Sequence, residues 1–188
     1  MSIVKEYLRR QSGLLICLSG LSGAGKTYHA KQLADRLNLV HIDQDSFFKN
    51  YNELPQVTLG NGTKMPNWDS QDAIDFDLMN KSINRNIKNG LILSGFACRN
   101  EWFECQIDCQ IHLKIDKETC YERRREQHKD PPHLAQRIID EVVYPFYLET
   151  LESSHFDFII DTNQKSNQTL DLLADFIYQF LKEKLTTE

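Results

Sequence analysis

The segment "GLSGAGKT", Gly20 to Thr27, limits what this chain can become more than any other. It follows the short apolar run "LLICLS" (14–19). It leads into a stretch from Thr27 to Leu37 in which Ala30, Leu33, Ala34 and Leu37 recur at helical spacing. Gly-x-x-x-x-Gly-Lys-Thr between a strand and a helix is the pattern of a phosphate-binding loop. Its glycines let the main chain wrap a phosphate without Cβ interference. Successive N–H groups and the positive helix end then meet the negative charge. Lys26 is expected to reach the β- and γ-phosphates, and the Thr27 hydroxyl to ligate Mg²⁺. The expected ATP-binding residues are therefore Gly20, Leu21, Ser22, Gly23, Ala24, Gly25, Lys26 and Thr27, with the adjoining Tyr28.

Such a loop needs a parallel sheet, and the rest of the chain supplies the runs for one. "LVHID" (39–43), "LILSGF" (91–96), "IHLKI" (111–115) and "FDFII" (156–160) read as strands alternating with helical segments. The fold expected is α/β: a five-stranded parallel sheet flanked by helices in one phosphate-loop domain over residues 1–188. Asp69 to Asn89 reads as a helix with Ala73, Ile74, Leu78, Ile83 and Ile87 inward. A basic helix near 117–129, a "DPP" break and a helix over 134–152 follow. The closing amphipathic segment 167–185 should bury Leu170, Leu173, Phe176, Ile177 and Phe180. Residues 49–67, rich in Gly, Pro and Asn without a period, read as a loop or small excursion on the substrate side, and 121–133 as a lid.

Composition narrows the classes. With 22 basic and 27 acidic side chains the net charge is -5, which argues against non-specific nucleic-acid binding. No run of about 18 apolar residues exists to span a bilayer. The N-terminal residues do not form a secretion signal, and five cysteines suggest free thiols in a reducing cytoplasm. The oligomeric state is left open, with a monomer the simplest expectation. Cys105, Cys109 and His112 invite a zinc reading, but they lie in a strand-like segment without a second ligand pair, and packing roles are expected.

Phosphate loops serve motors, switches and kinases alike. No guanine-reading "NKxD" is present, "NQKS" (163–166) included, and an AAA-type ATPase is expected to be larger, with an acidic pair ending an apolar strand. A small kinase needs an acid near the phosphoryl acceptor, an acceptor pocket and a basic lid. The acid is Asp43 or Asp45 in "HIDQDSFFK", placed past the second strand where open α/β sheets bind ligands. Either could instead cap a turn. Phe47, Phe48 and "NWDSQDAID" (67–75) supply the pocket. Trp68 and Asp69 read either as a core anchor with a helix N-cap, or as a stacking surface with a carboxylate for ribose hydroxyls. Arg123, Arg124 and Arg125 read as a solvated charge run or as guanidinium groups for a transferring phosphate.

Together "GLSGAGKT", "IDQDSFFK", "NWDSQDAID", "LILSGF", "CYERRRE…DPP" and "VVYPFYL" resemble the nicotinamide riboside kinase family, a branch of the uridine kinase-like P-loop kinases, over residues 13–161. The resemblance implies that Asp45 is the catalytic base and helps hold Mg²⁺ beside Thr27. It implies that Phe48 and Trp68 sandwich a pyridine ring and that Asp69 holds the ribose hydroxyls. Arg123 would sit on nucleotide phosphates and Arg124 on the nucleoside. ATP, Mg²⁺ and a small nucleoside are the implied ligands. Two departures stand out. Gln127 replaces a lid arginine, for which Arg125 could substitute. Ser94 replaces a glutamate that organises the metal's water, while Asp43 stands where a relative in the family carries a small hydroxyl residue. Because the second and third strands should be neighbours, Asp43 is expected to supply, as an outer-shell group, what Ser94 lacks.

Overall fold

A computed structural model describes residues 2–128, 131–163 and 168–187. Helix α1 (Ile3–Gln11) is capped by the Ser2 hydroxyl, which accepts from the Lys5 N–H. Strand β1 (Leu15–Gly20) is buried throughout and runs through the phosphate loop into α2 (Lys26–Leu37). Strand β2 (Val40–Asp43) ends in a 3₁₀ turn, Gln44–Phe47. The irregular segment that follows contains a small antiparallel hairpin, β3 (Gln56–Thr58) and β4 (Lys64–Pro66). Next come α3 (Phe76–Asn86), β5 (Leu91–Gly95), β6 (Cys109–Lys114) and α4 (Lys117–His128). Helix α5 (Pro132–Ile138) passes through a π turn, Ile139–Val143, into α6 (Tyr144–Ser153). Strand β7 (Phe158–Asp161) and α7 (Gln168–Thr186) close the chain.

The main sheet has the order β2-β5-β1-β6-β7, and every pairing in it is parallel. Side chains alternate across a strand, so the two faces carry separate cores. Leu14, just before β1, with Ile16 and Leu18 of β1, packs with α1, α2 and α7, through Tyr7, Leu33 and Ile177. Leu15 and Cys17 face the other way, onto Met79 and Ile83 of α3. Connections leave β1 toward β2 on one side and reach β6 on the other, opening a crevice at the carboxyl ends of the strands.

Two helices differ from expectation, α3 in where it starts and α7 in which residues it buries. Residues 69–75 are not part of α3, whose N-cap is Asp75, accepting from the Leu78 N–H at 2.9 Å. Instead Ser70 caps a separate 3₁₀ turn, Gln71–Ala73, and Ile74 bridges to Phe48. The later start turns the helix so that Met79 is buried and Leu78 is exposed. In α7, Leu173 and Ile177 are buried as expected. The rest of the buried stripe runs through Thr169, Ala174 and Leu181, leaving Leu170, Phe176 and Phe180 half-buried. Lys129, at the expected end of the basic helix, lies outside the described residues.

Candidate active site

The phosphate loop closes over the end of β1 because Gly20 takes φ +153°, and a Cβ there would collide with the Leu113 carbonyl. The N–H groups that begin α2 have no intrahelical acceptor and face the crevice end of the sheet. Lys26 folds back, its Nζ donating to the Leu21 carbonyl at 3.1 Å. Burial pushes the Lys26 ammonium below its ordinary value, against the pull of Asp45, Asp43 and Asp69. Thr27 follows in the first turn; Tyr28 is exposed, its ring edge-on to His29.

Asp45 is presented by the 3₁₀ turn beyond β2. Asp43 caps that turn, its Oδ1 accepting from the Asp45 N–H at 3.3 Å. Burial raises the Asp45 carboxyl above its ordinary value, and Asp43 and Asp69 raise it further while Lys26 lowers it. Gln44 pins this turn to the next strand end: its Nε2 donates to the Ala97 carbonyl at 3.2 Å and its Oε1 accepts from the Phe96 N–H at 3.0 Å. Nothing in the sequence pattern singled out Gln44. A buried amide between two strand ends is visible only once the strands are paired.

A cavity of about 540 Å³ opens between these elements. Ser22, Lys26, Asp45, Phe48, Trp68, Asp69 and Arg124 all line it, although they come from four separate stretches of chain. Phe48 and Trp68 touch edge to face, with centroids 5.0 Å apart and an interplanar angle of 83°. Asp69 is not a helix cap. Its carboxylate accepts from Arg124 Nη2 at 3.4 Å, and both side chains are nearly buried. The Arg124 Nε is buried without a partner, leaving a donor for a ligand at this wall.

The remaining walls were missed by sequence reasoning. Phe96, Trp102, Phe146, Leu134 and Ile138 close one side, and Thr63 and Met65 of the hairpin region reach the cavity as well. Phe96 and Phe146 stack at 5.4 Å with an angle of 9°. Segment 49–67 thus reaches the cavity through Thr63 and Met65, and it carries a small hairpin within otherwise irregular chain. Phe47 packs into the α3-side core. Arg123 stays outside the cavity lining; its three hydrogen bonds go to main-chain carbonyls. Arg125 lies over the Tyr121 ring at 5.7 Å, and Gln127 is exposed. Cys109 lies in the core shared with α1, α2 and α7, Cys105 packs against the other core on the α3 side, and the two His112 nitrogens engage Ser19 and Tyr147.

A family model described as an AAA domain matches residues 16–143. The chain belongs to this P-loop family. Its description carries the AAA label that chain length and the missing acidic pair weighed against. The nicotinamide riboside kinase of Saccharomyces cerevisiae is 40% identical over 73 residues, 37% of this chain and 28% of that protein. The uridine kinase of Schizosaccharomyces pombe is 26% identical over 204 residues, 88% of this chain and 44% of that protein. The chain therefore spans less than half the length of either relative. A sugar kinase from Janibacter aligns at TM-score 0.58 and 18% identity, over 88% of this chain and 94% of that one. A gluconokinase from Sinorhizobium meliloti aligns at 0.54 and 14%, over 91% and 93%. At these identities the likeness is one of fold, that of the P-loop kinases. Among the described residues, no helix is long and apolar enough to cross a membrane.

Proposed function

We propose that the protein transfers the γ-phosphoryl group of ATP to the ribosyl 5′-hydroxyl of a nucleoside. Nicotinamide riboside is the first-choice acceptor, giving nicotinamide mononucleotide and ADP. The observation that carries this reading is the shared cavity. Phosphate-loop groups Ser22 and Lys26, the acid Asp45, an aromatic pair and the Asp69–Arg124 couple all line it. Its volume of about 540 Å³ suits a ligand of nucleoside size.

The chain's own residues divide the work. The loop from Gly20 to Thr27 grips the triphosphate, and Lys26 meets the charge on the transferring group. Thr27 and Asp45 are the residues that would hold Mg²⁺, with Asp43 beyond them; the ion, when bound, neutralises charge on the nucleotide phosphates. The glycine cradle and the carboxylates at the loop's mouth fit that assignment. Asp45 orients the acceptor hydroxyl and takes its proton as the phosphoryl group arrives. Asp69 accepts from ribose hydroxyls, and Arg124 turns its free Nε to the nucleoside. Trp68 and Phe48 offer π faces to a cationic pyridine ring. A sandwich needs their planes about 7 Å apart, twice a carbon contact. In their edge-to-face contact one ring must therefore swing aside on binding.

Uridine or cytidine as acceptor is the second reading, favoured by the longer match to the uridine kinase. A third, a nucleotide-binding protein with weak catalysis, is favoured by Ser94 where a carboxylate was expected. A nucleoside panel with coupled ADP detection separates them. Fastest turnover on nicotinamide riboside supports the proposal, faster turnover on uridine overturns the substrate, and ATP binding without ADP release overturns the activity.

A further inference from the structure

The resemblance places Arg123 on nucleotide phosphates, but every hydrogen bond its guanidinium makes in the structure is to the protein's own main chain. Nη1 donates to the Gly23 carbonyl at 2.9 Å. Nη2 donates to the carbonyls of Thr162 at 2.9 Å and Asn163 at 2.7 Å. The Arg123 stem lies on Gly23: a Cβ at that glycine would sit 3.0 Å from the Arg123 Cβ and 3.6 Å from its Cδ. Thr162 completes the arrangement, its Oγ1 lying 3.2 Å from the carbonyls of both Ala24 and Lys114, which share its single proton. Two consecutive carbonyl oxygens of the phosphate loop are thus held from behind, one by Arg123 and one by Thr162.

A trans peptide is planar, so its N–H points opposite to its carbonyl oxygen. Holding the Gly23 oxygen directs the Ala24 N–H, which donates to the Leu21 carbonyl at 3.1 Å and closes the loop's own turn. Holding the Ala24 oxygen turns the Gly25 N–H to the loop's other side. The carbonyl dipoles that would repel a phosphate are thereby kept behind the loop before any anion arrives. Such preorganisation is what gives a fixed dipole its value at a charged ligand.

We propose that Arg123 and Thr162 form a carbonyl clamp that preorganises the phosphate loop, making Arg123 a positioning residue and not a phosphate ligand. The inference rests on the loop binding phosphate and is independent of which acceptor the protein uses.

The test is hydrogen exchange of the protein without nucleotide, read in peptides covering Ser22–Thr27, for wild type, Arg123→Ala, Arg123→Lys and Thr162→Val. The clamp predicts exchange faster by about fivefold or more in Arg123→Ala and Thr162→Val, as local order is lost. Arg123→Lys should restore part of it, and peptides from β5 and α3 should be unchanged. ADP affinity, measured by calorimetry, should fall in both clamp-breaking variants. Unchanged exchange in the free protein, with ADP affinity lost only in Arg123→Ala, would mean a direct phosphate contact and overturn the proposal. Faster exchange across the whole sheet would overturn it too, as general destabilisation.

Discussion

Asp43 and Ser94 are lateral partners on neighbouring parallel strands, each at the carboxyl end of its strand. Partners in a parallel pair project to the same face, so the carboxylate of one stands beside the hydroxyl of the other. The Ser94 Oγ is also 2.9 Å from the His41 Nε2, which ties it to β2. This is the neighbour relation that a relocated carboxylate requires.

Asp43→Asn isolates the charge, because asparagine keeps the oxygen that caps the Asp45 N–H. Apparent Mg²⁺ affinity should weaken by about tenfold or more if Asp43 supports the metal's water shell. Mg²⁺ dependence of turnover and Mn²⁺ binding to the nucleotide complex both report it. Changes within about twofold in both would return Asp43 to a plain turn cap.

Gly20→Ala should destabilise the fold as well as the loop. Its φ of +153° and the Leu113 carbonyl behind it leave a methyl nowhere to go. Urea unfolding should show a loss of at least about 2 kcal/mol. Loss of ATP binding at unchanged stability would contradict that account.

The strands and the phosphate loop were legible because their signals are local: apolar runs bounded by turns, and a motif set between strand and helix. The start of α3 was not. Ala73 and Ile74 continue the helical spacing, but they are buried through a 3₁₀ turn and a bridge to Phe48, so periodicity alone overran the boundary. Of the site, Asp45, Phe48, Trp68, Asp69 and Arg124 were legible and share one cavity. Trp102, Phe96 and Phe146 were not, since a cavity wall built from distant segments leaves no spacing in the sequence.

Trp68→Ala should raise the nucleoside KM about tenfold, the loss of one ring's stacking, while the KM for ATP stays within about twofold. Steady-state kinetics with each substrate varied in turn measures the split. Equal increases in both KM values would remove Trp68 from the acceptor side.

His112 gives stability a pH dependence. Burial, reinforced by Lys26 and Lys114, pushes its imidazole from 6.5 down to about 4. The unfolded chain therefore takes up a proton that the native state refuses. Its contribution is complete above about pH 6.5 and is lost as pH falls toward 4. Between pH 7 and 5 this costs about 1–2 kcal/mol of unfolding free energy, which His112→Gln should abolish. An equally steep pH dependence in the variant would assign it to other groups.

Phosphoryl transfer from ATP to nicotinamide riboside can be followed by mass spectrometry in wild type and Asp45→Asn side by side. Wild type should give nicotinamide mononucleotide and ADP in equal amounts, and turnover in the variant should be lower by at least ~10²-fold if Asp45 takes the hydroxyl proton. Equal turnover in the two proteins, or no phosphorylated product from wild type, would contradict the proposed function.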